Sequence, residues 1–233
     1  MNKLKPVFLL AGGRRATRVS PDPLIQAVFR ECSVASPVVA YVGTAHGDDC
    51  GFFSFMANFL FEAGASKVNH ALICPENTDL EEAKEILSSA DAVYIGGGDV
   101  EEGMRVLEKK KMTDYLQGLY ENGKLFLGVS AGAIMLTKKW VRWRNPDDDS
   151  TAELFPCLGF APVIGDTHGE QESWEELKMA LKLAGEGEKG YGIVSGTALK
   201  VYSTSEVQAI GGPIHQFMHQ KGKVNRLPNI KPT

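Results

Sequence analysis

The 233-residue sequence is short of several things, and each shortage narrows what the chain can be. Its four cysteines, Cys32, Cys50, Cys74 and Cys157, are scattered and never in C-x-x-C spacing, which argues against a disulfide framework or a zinc site. None of them stands out as a nucleophile. No apolar run approaches the length that spans a bilayer. Positive charge is not in excess: 25 Lys and Arg against 29 Asp and Glu leave a formal net charge of −4, without the basic face that nucleic-acid binding needs. No G-x-G-x-x-G follows the first apolar run, so a Rossmann dinucleotide site is disfavoured. Internal repeats, low-complexity tracts and linkers are absent. Met1 to Pro6 leads straight into an apolar run of six residues, too short for a signal-peptide core and without a cleavage site. The expectation is a cytoplasmic protein of one α/β domain over residues 1–233, with no nucleic-acid or membrane partner.

What is present is a succession of short apolar runs, each closed by glycine or serine. Pro6–Ala11 ends at Gly12-Gly13, Pro37–Val42 at Gly43, Asp91–Ile95 at Gly96-Gly97-Gly98, and Lys124–Val129 at Ser130. Lys67–Ile73 reads as a further strand. Between them lie stretches with helical spacing: Pro21–Cys32, Phe52–Ala63, a helix through Leu80 and Leu87 capped by Asn77 or Thr78, and one or two helices over Met104–Leu107 and Tyr115–Tyr120. Five alternations of strand and helix predict a three-layer α/β/α fold around a doubly wound, mainly parallel sheet. Such sheets bind beyond the carboxyl ends of their strands, where the glycines, His46 and Ser130 all fall. Further on, the sequence predicts strands over Trp140–Arg144, Phe160–Ile164, Gly192–Leu199 and Glu206–Ile210, and a helix over Trp174–Ala184. The phenylalanines of 52–61 fit either the core or a dimer face, leaving monomer or homodimer open.

Gly128-Val-Ser-Ala-Gly132 fits G-x-S-x-G, the nucleophile elbow. A nucleophile on a sharp strand-to-helix turn projects its hydroxyl off the sheet edge, and only small neighbours permit so tight a turn. The N–H that follows, on Ala131, then points with the helix N-terminus at a developing oxyanion. The ordinary alternative is a Ser-Gly turn that packs a helix on a sheet. A serine nucleophile needs a base. Of five histidines, His70 lies in a strand and His215 and His219 near the C-terminus, whereas His46 and His168 sit on loops at strand ends. Both stay candidates on position alone, with His168 the better placed in its polar Asp-Thr-His-Gly-Glu turn.

Ile95-Gly-Gly-Gly-Asp99, Gly128-Val-Ser-Ala-Gly-Ala133, Asp166-Thr-His168 and Gly196-Thr-Ala-Leu199 occur in the order and spacing of a known family. Over nearly its whole length the chain resembles the dipeptidase E and cyanophycinase family of serine peptidases, whose fold is flavodoxin-like and shared with class I glutamine amidotransferases. The resemblance implies Ser130 as nucleophile, His168 as general base, and an oxyanion hole from the N–H groups of Ala131 and of Gly97 or Gly98. It implies hydrolysis of peptide or related amide bonds in small substrates, through an acyl-enzyme and without metal or cofactor. A glutaminase is disfavoured, because those enzymes carry cysteine at the elbow.

Three departures qualify the resemblance. The acid that usually precedes the G-T-A-L segment is Ser195 here. Asp147 and Asp148, after the elbow, are candidates for the missing triad member, and Glu170 is another, although two positions from His168 it is expected to point away; a solvated loop is the plain reading of 147–149. The arginine-bearing segment after the histidine is replaced by Gly169-Glu-Gln-Glu-Ser-Trp-Glu-Glu176, an anionic wall that would repel an aspartyl side chain, although Arg14 and Arg15 could receive a substrate carboxylate. Asp99 replaces a common asparagine, either facing the pocket or capping the next helix. The reading is a serine peptidase without aspartyl selectivity. The alternative is a silent relative that binds a peptide or metabolite.

Overall fold

Successive residues of the buried strands feed two different cores. In the computed structural model, which describes residues 4–12 and 21–232, Val7 and Leu9 of strand β1 (Val7–Leu10) join one apolar cluster, while Phe8 and Leu10 join another on the opposite face. The same alternation holds in β2 (Val38–Val42), β4 (Ala92–Ile95) and β5 (Leu125–Val129). Side chains of a strand point alternately to the two faces. A sheet covered on both faces therefore reads as continuous apolar sequence.

With β3 (Lys67–His70) these strands run parallel in a seven-stranded sheet of order β11-β10-β1-β5-β4-β2-β3. Strands β10 (Ala198–Val201) and β11 (Val207–Ile210) add an antiparallel edge, β10 against β1 and β11 against β10. Helices α1 (Pro23–Phe29) and α2 (Cys50–Glu62) cover one face. The other is covered by α3 (Leu80–Ser89), α4 (Val100–Lys109), α5 (Thr113–Glu121) and α6 (Ala131–Met135). The expected α/β class with a mostly parallel sheet is what the chain forms.

The second half departs from the sequence reading. Strands β8 (Ile164–Thr167), β9 (Lys189–Ile193), β12 (Ile214–Gln220) and β13 (Lys223–Ile230) make a separate four-stranded sheet, ordered β13-β12-β9-β8. Helix α7 (Glu175–Ala184) packs on it around Ile164, Leu177, Leu181 and Phe217. The predicted strand 192–199 is broken in two. Its first part belongs to β9 and its second to β10, in different sheets, with Gly196 at a φ of 80° between them. The predicted strand at 160–164 begins only at Ile164: Ala161 and Val163 are buried as a loop whose amide at 161 donates to the Leu136 carbonyl. The third helix is capped by Asp79, two or one residues later than expected, because its carboxylate reaches the N–H of Glu81 and Glu82. A hairpin of β6 (Lys139–Trp143) and β7 (Ala152–Pro156) completes the described chain, and Arg142 pairs with Glu153 within it and with Glu101 of α4. No helix among the described residues is long and apolar enough to cross a membrane.

Candidate active site

Register places Leu10 beside Val129 and Ile95 beside Gly128, so β1, β4 and β5 end at one edge. Ser130 follows β5 there at φ 55° and ψ −124°, strained for any residue with a side chain. Its N–H donates to the Leu10 carbonyl at 2.9 Å, and its own carbonyl accepts from Ala133 at the start of α6. The flanking glycines are a steric requirement. A Cβ on Gly128 would lie 2.2 Å from the Gly132 carbonyl oxygen, and one on Gly132 would lie 2.2 Å from that of Ile95. The sharp turn thus explains all three fixed letters of the pentapeptide.

The glycine-rich loop after β4 abuts the same serine: a Cβ on Gly97 would stand 3.1 Å from the Ser130 Cβ. Among the described residues, no protein acceptor takes the N–H of Gly97, Gly98 or Ala131. Asp99 caps α4 through the Glu102 N–H at 2.8 Å, and it also borders the large cavity described below.

His168 follows β8 at φ 64° and is the contribution of the smaller sheet. Ser130 and His168 line two adjoining spaces. The larger, about 1090 Å³, is walled by Trp140 and Trp143 of the hairpin and by Glu172, Glu175 and Glu176 around the start of α7. Trp140 Nε1 donates to Glu176 at 2.9 Å, joining hairpin to helix along its rim. The smaller, about 270 Å³, is largely apolar, with Phe52, Met56, Tyr94 and His46. No hydrogen bond joins Ser130 Oγ to His168 among the described residues; contacts of this kind commonly close only when substrate binds.

The two candidate bases differ in what occupies their rings. His46 Nδ1 accepts the Asp49 N–H at 3.2 Å, so its proton sits on Nε2, 2.7 Å from Tyr41 Oη. Both nitrogens are engaged, and burial lowers its pKa. His46 is a wall residue. Among the described residues His168 uses only Nδ1, which lies 3.0 Å from Ser195 Oγ, and burial also lowers its pKa against the opposing charge of Glu170.

Ser195 is the position at which the sequence shows a missing acid, and the structure makes it the neighbour of the histidine. Glu170 does not point away. Its Oε1 accepts the Ser195 N–H at 2.6 Å. Partial burial pushes its carboxyl up, but the Ser195 N–H and hydroxyl, with the His168 charge, outweigh this and leave it below the ordinary range. Asp147 and Asp148 are not brought to His168. Both are exposed, and the Asp148 carboxylate is occupied by the N–H and hydroxyl of Ser150. Only Asp149 of that run borders the large cavity, accepting from Trp143 Nε1 at 3.2 Å. Arg14 lies outside the described residues.

Two features went unnoticed in the sequence. The tryptophans of the hairpin wall, Trp140 and Trp143, stand three residues apart, a spacing that strand alternation assigns to opposite faces, so the sequence pattern gave no sign that both border one cavity. Asp166, 5% exposed, borders the large cavity, and burial together with nearby Glu176 pushes its carboxyl up to about 7. Nothing in its sequence context separates it from a surface carboxylate.

The α/β sheet thus carries a serine on a strained strand-to-helix turn, a histidine lining the same two cavities, and, among the described residues, unbonded amides beside the serine. The profile of peptidase family S51 matches residues 7–208, and the chain belongs to that family. It is 21% identical over 157 residues to the uncharacterized peptidase YgaJ of Bacillus subtilis (strain 168), a match over 67% of this chain and 65% of that protein; the chain thus spans just under two thirds of this relative. Among solved structures it is similar to a peptidase from an acI-B1 Actinobacterium, with TM-score 0.70, 19% identity and coverage of 98% and 97% of the two chains. It is also similar to a protein described as a peptidase E from Listeria monocytogenes EGD-e, with TM-score 0.64, 18% identity and coverage of 88% and 98%.

Proposed function

We propose that this peptidase cleaves peptide or related amide bonds through an acyl-enzyme on Ser130, with His168 as general base. The observation that carries the reading is the strained serine sharing a cavity with His168, whose second ring nitrogen is unengaged among the described residues, whereas both ring nitrogens of His46 are bonded. His168 Nε2 takes the hydroxyl proton as Oγ bonds to the carbonyl carbon, and the carbonyl electron pair moves to oxygen. The amides of Ala131 and of Gly97 or Gly98 receive that oxyanion. Its collapse breaks the C–N bond, and the amine leaves with the proton held on His168. Water then repeats the sequence on the ester and frees Ser130. Burial lowers the pKa of His168, so the neutral, basic form persists further into acid than an ordinary imidazole would allow.

The two cavities beside Ser130 present unlike walls. No arginine lines the large cavity among the described residues; Asp99, Asp149, Asp166 and three glutamates are set against Lys178, Lys182 and Lys223. This balance supports neutral or cationic substituents there over an aspartyl side chain.

Intact-mass labelling with a fluorophosphonate tests the chemistry. One adduct per wild-type chain, absent from Ser130→Ala and strongly slowed in His168→Ala, is the expected result. Folded wild-type protein that takes no label would instead support a family member that binds without turnover.

A further inference from the structure

A base that receives a proton at Nε2 must carry its other ring proton at Nδ1, and some group has to hold it there. The only side chain bonded to His168 Nδ1 among the described residues is the Ser195 hydroxyl. A hydroxyl is ambiguous. It can accept the Nδ1 proton, or it can donate to Nδ1 and force the proton onto Nε2, where the ring is useless as a base. What settles its direction is the next group along. Glu170 is ionised and can only accept. It holds the Ser195 amide at 2.6 Å, and the adjoining Ser195 hydroxyl is one of the groups that lower its carboxyl. The hydroxyl then turns a lone pair toward His168.

We infer that Glu170 acts through Ser195 as the acid of this site: Nδ1–H of His168 donates to Ser195 Oγ, and Ser195 Oγ–H donates to the Glu170 carboxylate. This inference rests on the reading of His168 as base. No proton leaves the chain of bonds during turnover; the imidazolium formed at Nε2 faces one negative charge across one hydroxyl. The loops are built for this contact. The left-handed φ of His168 reverses the chain, and the Gly169 carbonyl accepts from the Trp174 amide at 2.7 Å, so residue 170 folds back toward the turn after β9. On that turn, Gly196 N donates to the Gly12 carbonyl at 2.7 Å, tying Ser195 to the edge that bears Ser130. Glu170 and Ser195 are positioning residues, since neither needs to touch substrate.

Nitrogen-15 NMR of the His168 ring in the full chain reads the tautomer directly, whether or not Ser130 reacts. Nδ1 should carry the proton in the wild type, and Glu170→Gln and Ser195→Ala should shift the population toward Nε2–H. In parallel, kcat or the labelling rate should fall about 100-fold in either variant, the low end of what general-base catalysis supplies, with KM little changed. Ser195→Asp introduced beside Glu170→Gln places a carboxylate directly on the ring and should recover most of the loss. A wild-type ring protonated at Nε2, or a tautomer unmoved by both substitutions, overturns the relay. Wild-type protein that resists the fluorophosphonate while showing the Nδ1–H tautomer would retain the relay and overturn the serine chemistry instead.

Discussion

The backbone at Ser130 adopts a conformation suited to glycine, and the chain keeps a serine there. Holding a side chain in such a region costs on the order of 1–3 kcal/mol, and the cost is inherent in aiming Oγ off the sheet edge. Ser130→Ala retains the strain, whereas Ser130→Gly removes the Cβ that causes it. The freer unfolded chain of the glycine variant offsets about 0.4–1 kcal/mol of that gain. A net difference near 1 kcal/mol should make the glycine variant melt about 2–4 °C above the alanine variant. Calorimetry on the pair checks this, and equal melting temperatures would mean an unstrained elbow. The elbow was readable in the sequence because its demands are local: two glycines and a serine meet within five residues. The Ser195 contact joins loops 27 residues apart, and a serine looks the same in sequence whether its hydroxyl meets an imidazole or water.

At the scale of elements, β1, β2, β4 and β5 announced themselves because burial on both faces leaves no charged residue in the run. The smaller sheet did not. β12 and β13 carry mixed sequences such as Ile214-His-Gln-Phe-Met-His-Gln220, half-buried on one side, whose pattern matches a polar tail as well as a strand. The segment around the start of α7 was legible in chemistry, if not in placement: the acidic run after His168 does line the cavity, although lysines stand among it. Its charge makes a prediction. Matched dipeptides differing only in an aspartyl, neutral or lysyl side chain should show kcat/KM for the aspartyl substrate at least about tenfold below the others, equivalent to about 1.4 kcal/mol. Glu175→Gln with Glu176→Gln should narrow that gap. Strong aspartyl preference in the wild type would refute the reading of the wall.

At the scale of the whole molecule, Ser130 belongs to the large sheet and His168, Glu170 and Ser195 to the edge of the small one. The large sheet rests on two extensive apolar clusters, one of which also takes in Tyr191, Ile193 and Ile214 of the small sheet, whereas the face of the small sheet under α7 has a much smaller core around Leu181 and Phe217. Stability is distributed unevenly in such a structure, and the weaker unit opens first. Catalytic activity in urea should therefore fall at a lower midpoint than far-ultraviolet circular dichroism. Leu181→Ala, which truncates a fully buried side chain, should cost about 2–5 kcal/mol locally and widen the separation. Coincident midpoints in both proteins would show a single cooperative unit.

Placing the proposed nucleophile and the proposed base on different sheets has a practical meaning for anyone handling the protein. A preparation can pass every spectroscopic check of nativeness while its active fraction declines, because the reporter of shape and the reporter of chemistry sit on different sheets. Active-site titration, rather than a melting curve, becomes the proper measure of shelf life, and a small-molecule ligand that bridges the two sheets would preserve potency more than it raises the melting temperature.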